Sequence, residues 1–192
     1  RFITGCAGGT LAWWNLTPGI KDFTPQRAFK AHDGGVVCAT LTAGQQTPLL
    51  LTTGNDSSVA AWNIVTGKEI ARFKPHSKLP CSGIASWLHP RCEGFSAVVI
   101  TKEPIVLMIN PNAKNGGLMG LCNVAEKAPS NILALLGTKS PLKAYSMIGH
   151  PVQTHILFVG TNLGVAVLGA TPRARPPAAI ARLGSGSVRS AT

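Results

Sequence analysis

The chain has 192 residues, 45% of them apolar, with 21 glycines and 14 prolines, a turn-rich composition that suits short strands better than a helical bundle. Only 13% of residues are charged, and the seven acidic ones form no recognisable acid/base pair and accompany no G-x-x-x-x-G-K-[ST] phosphate loop, so neither catalysis, a cofactor nor a small-molecule substrate is expected. The net charge of +11 favours acidic partners such as an anionic membrane surface, but a dense basic run, a helix-turn-helix pattern and an RNA-binding aromatic signature are all missing, which argues against nucleic acid.

In chain order, the first patterned stretch is "TGCAGGTLAWWNLTPG" (Thr4 to Gly19), with Trp14-Asn15 near its end. The next is "LLLTTGNDSSVAAWNIVTGKEI" (Leu49 to Ile70). It reads as a strand from Leu49 to Thr53, a turn over Gly54 to Ser57, a strand from Ser58 to Ile64, a turn over Val65 to Lys68, and a strand from Glu69 to Phe73. Such a meander is marginal alone and needs neighbours.

The two stretches are alike. Each has Thr-Gly, a small or polar corner, an apolar strand, Trp-Asn and a Thr-containing turn, and Trp14 and Trp62 stand 48 positions apart. A step of 47 from Asn63 reaches Asn110 in "PIVLMINPNAKNG", where Ile109 replaces the tryptophan. A second echo pairs "SWLHPRCEGFSAVVIT" (from Ser86) with "SMIGHPVQTHILFVGT" (from Ser146), each an apolar strand, a His-Pro link and another strand. Proline ends a strand because it cannot donate to the ladder. The last interval is longer, with an insertion in "LCNVAEKAPSNILALLGTKSPLKAY".

A repeat of roughly 40 to 50 residues with several short strands points to propeller blades. Trp13 and Trp87 then read as blade-to-blade core rather than a ligand platform, and Asn131 to Gly137 as a buried strand or helical turn rather than a membrane wedge. The longest apolar region, Ser96 to Asn110, is broken by Lys102, Glu103 and Pro104 and is no membrane span.

Cys6, Cys38, Cys81, Cys92 and Cys122 are odd in number and show no C-x-x-C pair, so they read as free thiols in a reducing compartment. His76, Cys81, His89 and Cys92 compose the sharpest alternative, a zinc site. Their spacing is uncommon, and Pro80, Pro90 and a predicted strand over Gly83 to Trp87 intervene. Core cysteines and a strand-ending His89 are the plainer reading.

"KAHDGGVVCATLTAGQQTPLLLTTGNDSSVAAWNIVTGKEI" resembles a WD repeat. The resemblance implies a hydrogen-bonded set of His32, Thr52, Asp56 and Trp62, in which Asp56 orients His32 and Trp62 donates its indole N–H. The usual Trp-Asp has become Trp-Asn at Trp14-Asn15 and Trp62-Asn63; Gly8 replaces the aspartate in the first repeat, and the last two units lack both Asp and Trp. The order of "KAHDGGVV", "KPHSKLPCSGIASWLHPR" and "KAYSMIGHPVQTHILFVGTNLGVAV" resembles the WD-repeat subunits of the TPLATE (TSET) endocytic adaptor complex, over about Arg1 to Gly169. That resemblance implies a scaffold with other adaptor subunits as partners, cytoplasmic and peripheral at the plasma membrane or endocytic vesicles. A substrate receptor or signalling platform on a WD-repeat fold is the alternative.

The expected fold is therefore all-β: a partial WD-repeat β-propeller of about four blades over residues 1–170, then a disordered basic tail over 171–192. The tail carries Arg173, Arg175, Arg182 and Arg189 and no acidic residue. It reads as a solvated linker more readily than as a lipid-binding patch. The chain opens on Arg1 in what reads as mid-repeat, so a fragment is expected, and open sheet edges predict poor solubility or oligomers.

Overall fold

A computed structural model of the chain describes residues 2–15, 19, 24–42, 47–74, 79–87, 96–110, 118–124, 142–153, 156–169 and 178–180. Among them every regular element is a strand, and the strands form four small antiparallel sheets in chain order. The first holds β1 (Phe2–Gly5), β2 (Thr10–Trp14) and β3 (Arg27–Lys30). The second holds β4 (Val36–Leu41), β5 (Leu49–Gly54), β6 (Val59–Asn63) and β7 (Glu69–Phe73). The third comprises β8 (Cys81–Trp87), β9 (Ser96–Thr101), β10 (Ile105–Ile109) and β11 (Leu118–Asn123), and the fourth β12 (Ala144–Gly149), β13 (Ile156–Thr161), β14 (Gly164–Gly169) and β15 (Ala178–Ile180). In each sheet, consecutive strands are neighbours.

The sequence repeat is a repeat of strand register. Phe2 pairs with Trp14 and Thr4 with Ala12, as Leu50 pairs with Trp62 and Thr52 with Ala60, all shifted by 48. Shifted by a further 47, Ala97 pairs with Ile109 and Val99 with Leu107. Each four-stranded sheet also breaks register at the start of its first strand, between Val36 and Cys38, Cys81 and Gly83, and Ala144 and Ser146. An extra residue there bends the strand and changes the direction of the next side chain. The meander read from sequence thus gains β4 in front of it.

Alternation along the strands sorts side chains into three cores. Leu50, Ala60 and Trp62 face the first sheet and pack with Leu11 and Ala31. Leu49, Leu51, Val59 and Ala61 face the other way, onto Cys81, Ile84, Val99 and Ile109 of the third sheet. Ile100, Val106 and Met108 turn to the fourth, against Leu157, Val159, Ala166 and Leu168. The inner strands of the middle sheets are buried on both faces, which is why β5 reads as an unbroken run rather than an alternating one. A fully buried leucine such as Leu51 contributes about 1.5–3 kcal/mol. Trp87 lies in the core between the third and fourth sheets, and Trp13 packs partly buried between the first and second. The first strands lie side by side, with β8 against both β4 and β12.

The asparagine of the second Trp-Asn pair has a local cause. Asn63 Oδ1 accepts the N–H of Val65 at 2.9 Å and of Thr66 at 2.8 Å, which closes the β6–β7 turn. Asn15 follows β2 and Asn110 follows β10 at the matching places. In the fourth sheet, His150 Nδ1 accepts the N–H of Val152 and Gln153, so this His-Pro link is a capped turn.

Within the tail expected to be disordered, the three described residues form a strand. Ala178–Ile180 pairs with β14, Val167 opposite Ile180, as the fourth sheet's outer strand. This short apolar run follows Pro176-Pro177 and meets an edge whose N–H and C=O groups seek partners. The rest of 170–192 lies outside the described residues, as do Asn131 to Gly137.

Candidate functional site

The four residues of the expected set come together at the seam between the first two sheets. His32 lies on the link from β3 to β4, Thr52 in β5, Asp56 at the β5–β6 corner and Trp62 in β6. His32 is 1% exposed and Thr52 fully buried. Trp62 Nε1 donates to Thr52 Oγ1 at 2.8 Å, and Thr52 Oγ1 lies 2.8 Å from His32 Nε2. The other ring nitrogen, Nδ1, is 2.9 Å from Ser58 Oγ and 3.2 Å from Asp56 Oδ1.

These contacts fix the protons. The Asp56 carboxylate can only accept, so Nδ1 must bear the proton; with the buried ring neutral, Nε2 is bare and takes the O–H of Thr52, which itself accepts from Trp62. Nδ1 donates to Ser58 and Asp56, while Ser58 Oγ donates to Asp56 Oδ1 at 2.7 Å. The ring is neutral, and its pKa is lowered by burial, against the opposing pull of Asp56. Burial pushes the Asp56 carboxyl up, but hydrogen bonds from the Ser58 hydroxyl and N–H and the Asp33 N–H outweigh it and hold it at about 2.

Two members carried no sequence expectation. Ser58 joins His32 to Asp56. Arg72 of β7 donates to Ser58 Oγ at 3.1 Å and to the Ala31 carbonyl at 2.6 Å, pairs with Glu69 at 2.7 Å, and stacks 5.6 Å over the Trp62 ring. Ser58 was detectable as the residue two beyond Asp56, the Asx-turn position; Arg72 reads as an ordinary surface arginine until β6–β7 pairing sets it opposite Ala60. Gly54 lies directly under the His32 ring, and a β-carbon there would overlap it. Gly9, at φ +82, presents its carbonyl to the N–H of Ala31 and His32 and anchors the link to the first sheet. The network clasps one sheet to the next.

Thr52, His32 and Asp56 have the connectivity of a nucleophile–base–acid relay. Thr52 is fully buried and accepts the Trp62 indole, so a substrate cannot reach its oxygen; the arrangement is a structural clasp.

The other marker residues repeat it in part. Trp14 Nε1 donates to Thr4 Oγ1 at 2.8 Å, the same bond shifted by 48, but exposed. In the third sheet the matching pair is Val99 and Ile109, both fully buried, so both polar partners are lost together and none is orphaned. Of the residues in the zinc alternative, Cys81 is buried, and burial pushes its thiol up to about 12. His76, His89 and Cys92 lie outside the described residues, and among the described residues His, Cys, Asp and Glu form no metal-holding group of three or more. No helix of the described residues is long and apolar enough to cross a membrane.

No family model and no curated protein matches the chain.

Proposed function

We propose that the chain is a WD-repeat type propeller portion of a protein–protein interaction scaffold, and that the assembly is an endocytic or vesicle-coat adaptor. The observation that carries the propeller reading is the His32–Thr52–Asp56–Trp62 clasp at the seam between successive stacked sheets. The recurrent register and bulges support it, because they give each sheet the same shape. Stacked sheets of this kind offer rims and faces to partners while their strands are consumed by packing. The adaptor class rests on the resemblance of the "ASWLHPR" and "GTNLGV" stretches and their order. In this reading the protein is cytoplasmic, works through other subunits, and uses its positive charge for anionic membrane surfaces.

The test is purification of the tagged full-length protein from its own cells, with stoichiometric partners identified by mass spectrometry. Subunits of one coat or adaptor assembly are expected. Stoichiometric ligase or signalling components, or a lone monomer, would overturn the adaptor class.

A further inference from the structure

A groove of about 780 Å³ opens between the first two sheets, at the end opposite the Gly54–Ser58 corner. Its floor is Leu50, 3% exposed. One wall is Trp13, whose Nε1 donates to the Ile64 carbonyl at 3.3 Å and so bridges the sheets. Another is the stacked pair of Phe2 and Trp14, ring centroids 5.7 Å apart. Val65 stands on the rim, 70% exposed. Arg27 is the one charged side chain among the described lining residues; it rests on the turn at Gly67, and among the described residues it has no acidic partner.

We propose that this groove takes a short extended peptide of a partner protein, in which apolar or aromatic side chains flank a carboxylate. The volume suits a few side chains rather than a folded domain. Rigid aromatic walls supply contact area at low entropic cost, and an exposed apolar rim gains by being covered. The carboxylate is selected by Arg27, whose planar donors match it, within a chain of net charge +11 that steers acidic segments inward. The inference deepens the scaffold reading and shares with it the stacking of the first two sheets.

The probe is a fluorescein-labelled peptide alternating aspartate with leucine or phenylalanine, titrated by anisotropy against the full-length protein, beside a counterpart with lysine in place of aspartate. The acidic peptide should bind and the lysine peptide should not. Arg27→Glu should weaken acidic-peptide binding about tenfold or more and admit the lysine peptide; Val65→Glu should weaken it as well. Both positions are exposed, and unchanged circular dichroism and melting establish that the variants fold. Equal affinity in Arg27→Glu, or no binding of the acidic peptide, overturns the proposal. So does Arg27-dependent binding to phosphatidylserine vesicles without peptide binding, which would make the face a membrane contact. A protein that proves monomeric in its cells yet binds the peptide through Arg27 supports the groove and removes the adaptor reading alone.

Discussion

Thr52→Val removes one oxygen and preserves the shape of the side chain. In the folded protein that oxygen serves two buried groups, the Trp62 indole N–H and His32 Nε2. Water cannot replace it, since Thr52 is fully buried and His32 is 1% exposed. Each orphaned group costs about 1–3 kcal/mol, so the substitution should destabilise by about 3 kcal/mol. For a chain of this size that is a fall in melting temperature of about 6–12 °C. The internal control is Thr4→Val, which removes the same bond to Trp14 where water can take its place; its effect should be below about 0.5 kcal/mol. The assay is urea unfolding of both variants beside the parent. Adding Trp62→Phe to Thr52→Val should cost less than the two single effects predict, because the indole N–H is already orphaned. A Thr52→Val effect no larger than that of Thr4→Val would refute the reasoning, since burial would then not distinguish the two bonds.

Asp56→Ala should destabilise by about 2 kcal/mol in the same assay, by releasing the Ser58 and Asp33 N–H groups and the Ser58 hydroxyl; an unchanged midpoint would mean the carboxylate holds nothing. Stability should fall on acidification in two stages. Because burial lowers the His32 pKa from 6.5, the unfolded chain binds a proton that the folded one refuses, so this contribution is full above pH 6.5 and declines below it. Asp56, lowered from 3.8 to about 2, contributes fully above pH 3.8 and loses that contribution as pH falls through about 2, a term of about 1–2 kcal/mol after allowance for its partial exposure. A His32→Gln variant with the parent's slope between pH 7 and 5 would contradict the first stage. Gly54→Ala should cost about 1–3 kcal/mol by driving a methyl into the His32 ring, and a neutral result in a melting experiment would show that the ring does not sit there. Native-state alkylation read by peptide mass should mark Cys6, exposed and favoured as thiolate by hydrogen bonding from the backbone of Thr10 and Gly8, before Cys81, which should react only on unfolding; the reverse order would contradict the burial.

The second sheet was the most legible because its corners carry strong turn chemistry, Gly54-Asn55-Asp56-Ser57 and Thr66-Gly67, on either side of β6. β4 was harder: "VVCATL" has no polar alternation, and it follows glycines rather than a recognisable hairpin turn. The clasp was legible through the WD resemblance of His32, Thr52, Asp56 and Trp62, whereas Arg72 was not, since its role depends on a cross-strand neighbour rather than on its own letters. The Trp14–Thr4 bond and the Val99–Ile109 replacement lay in the repeat at shifts of 48 and 47, and needed only the diagonal geometry of strand pairs to be read. The groove was invisible in sequence because it forms between residues of different sheets, such as Phe2 and Val65, that no local pattern connects.

The central claim is that these sheets stack as blades of a propeller, and the most direct measurement is a cryo-electron-microscopy or crystal structure of the full-length protein. A ring of radially arranged sheets, with a further strand along the free edge of β1 and the His32 clasp between neighbours, is the predicted result. An open stack, or a two-sheet sandwich in which Leu50 and Leu51 face one core, would contradict it.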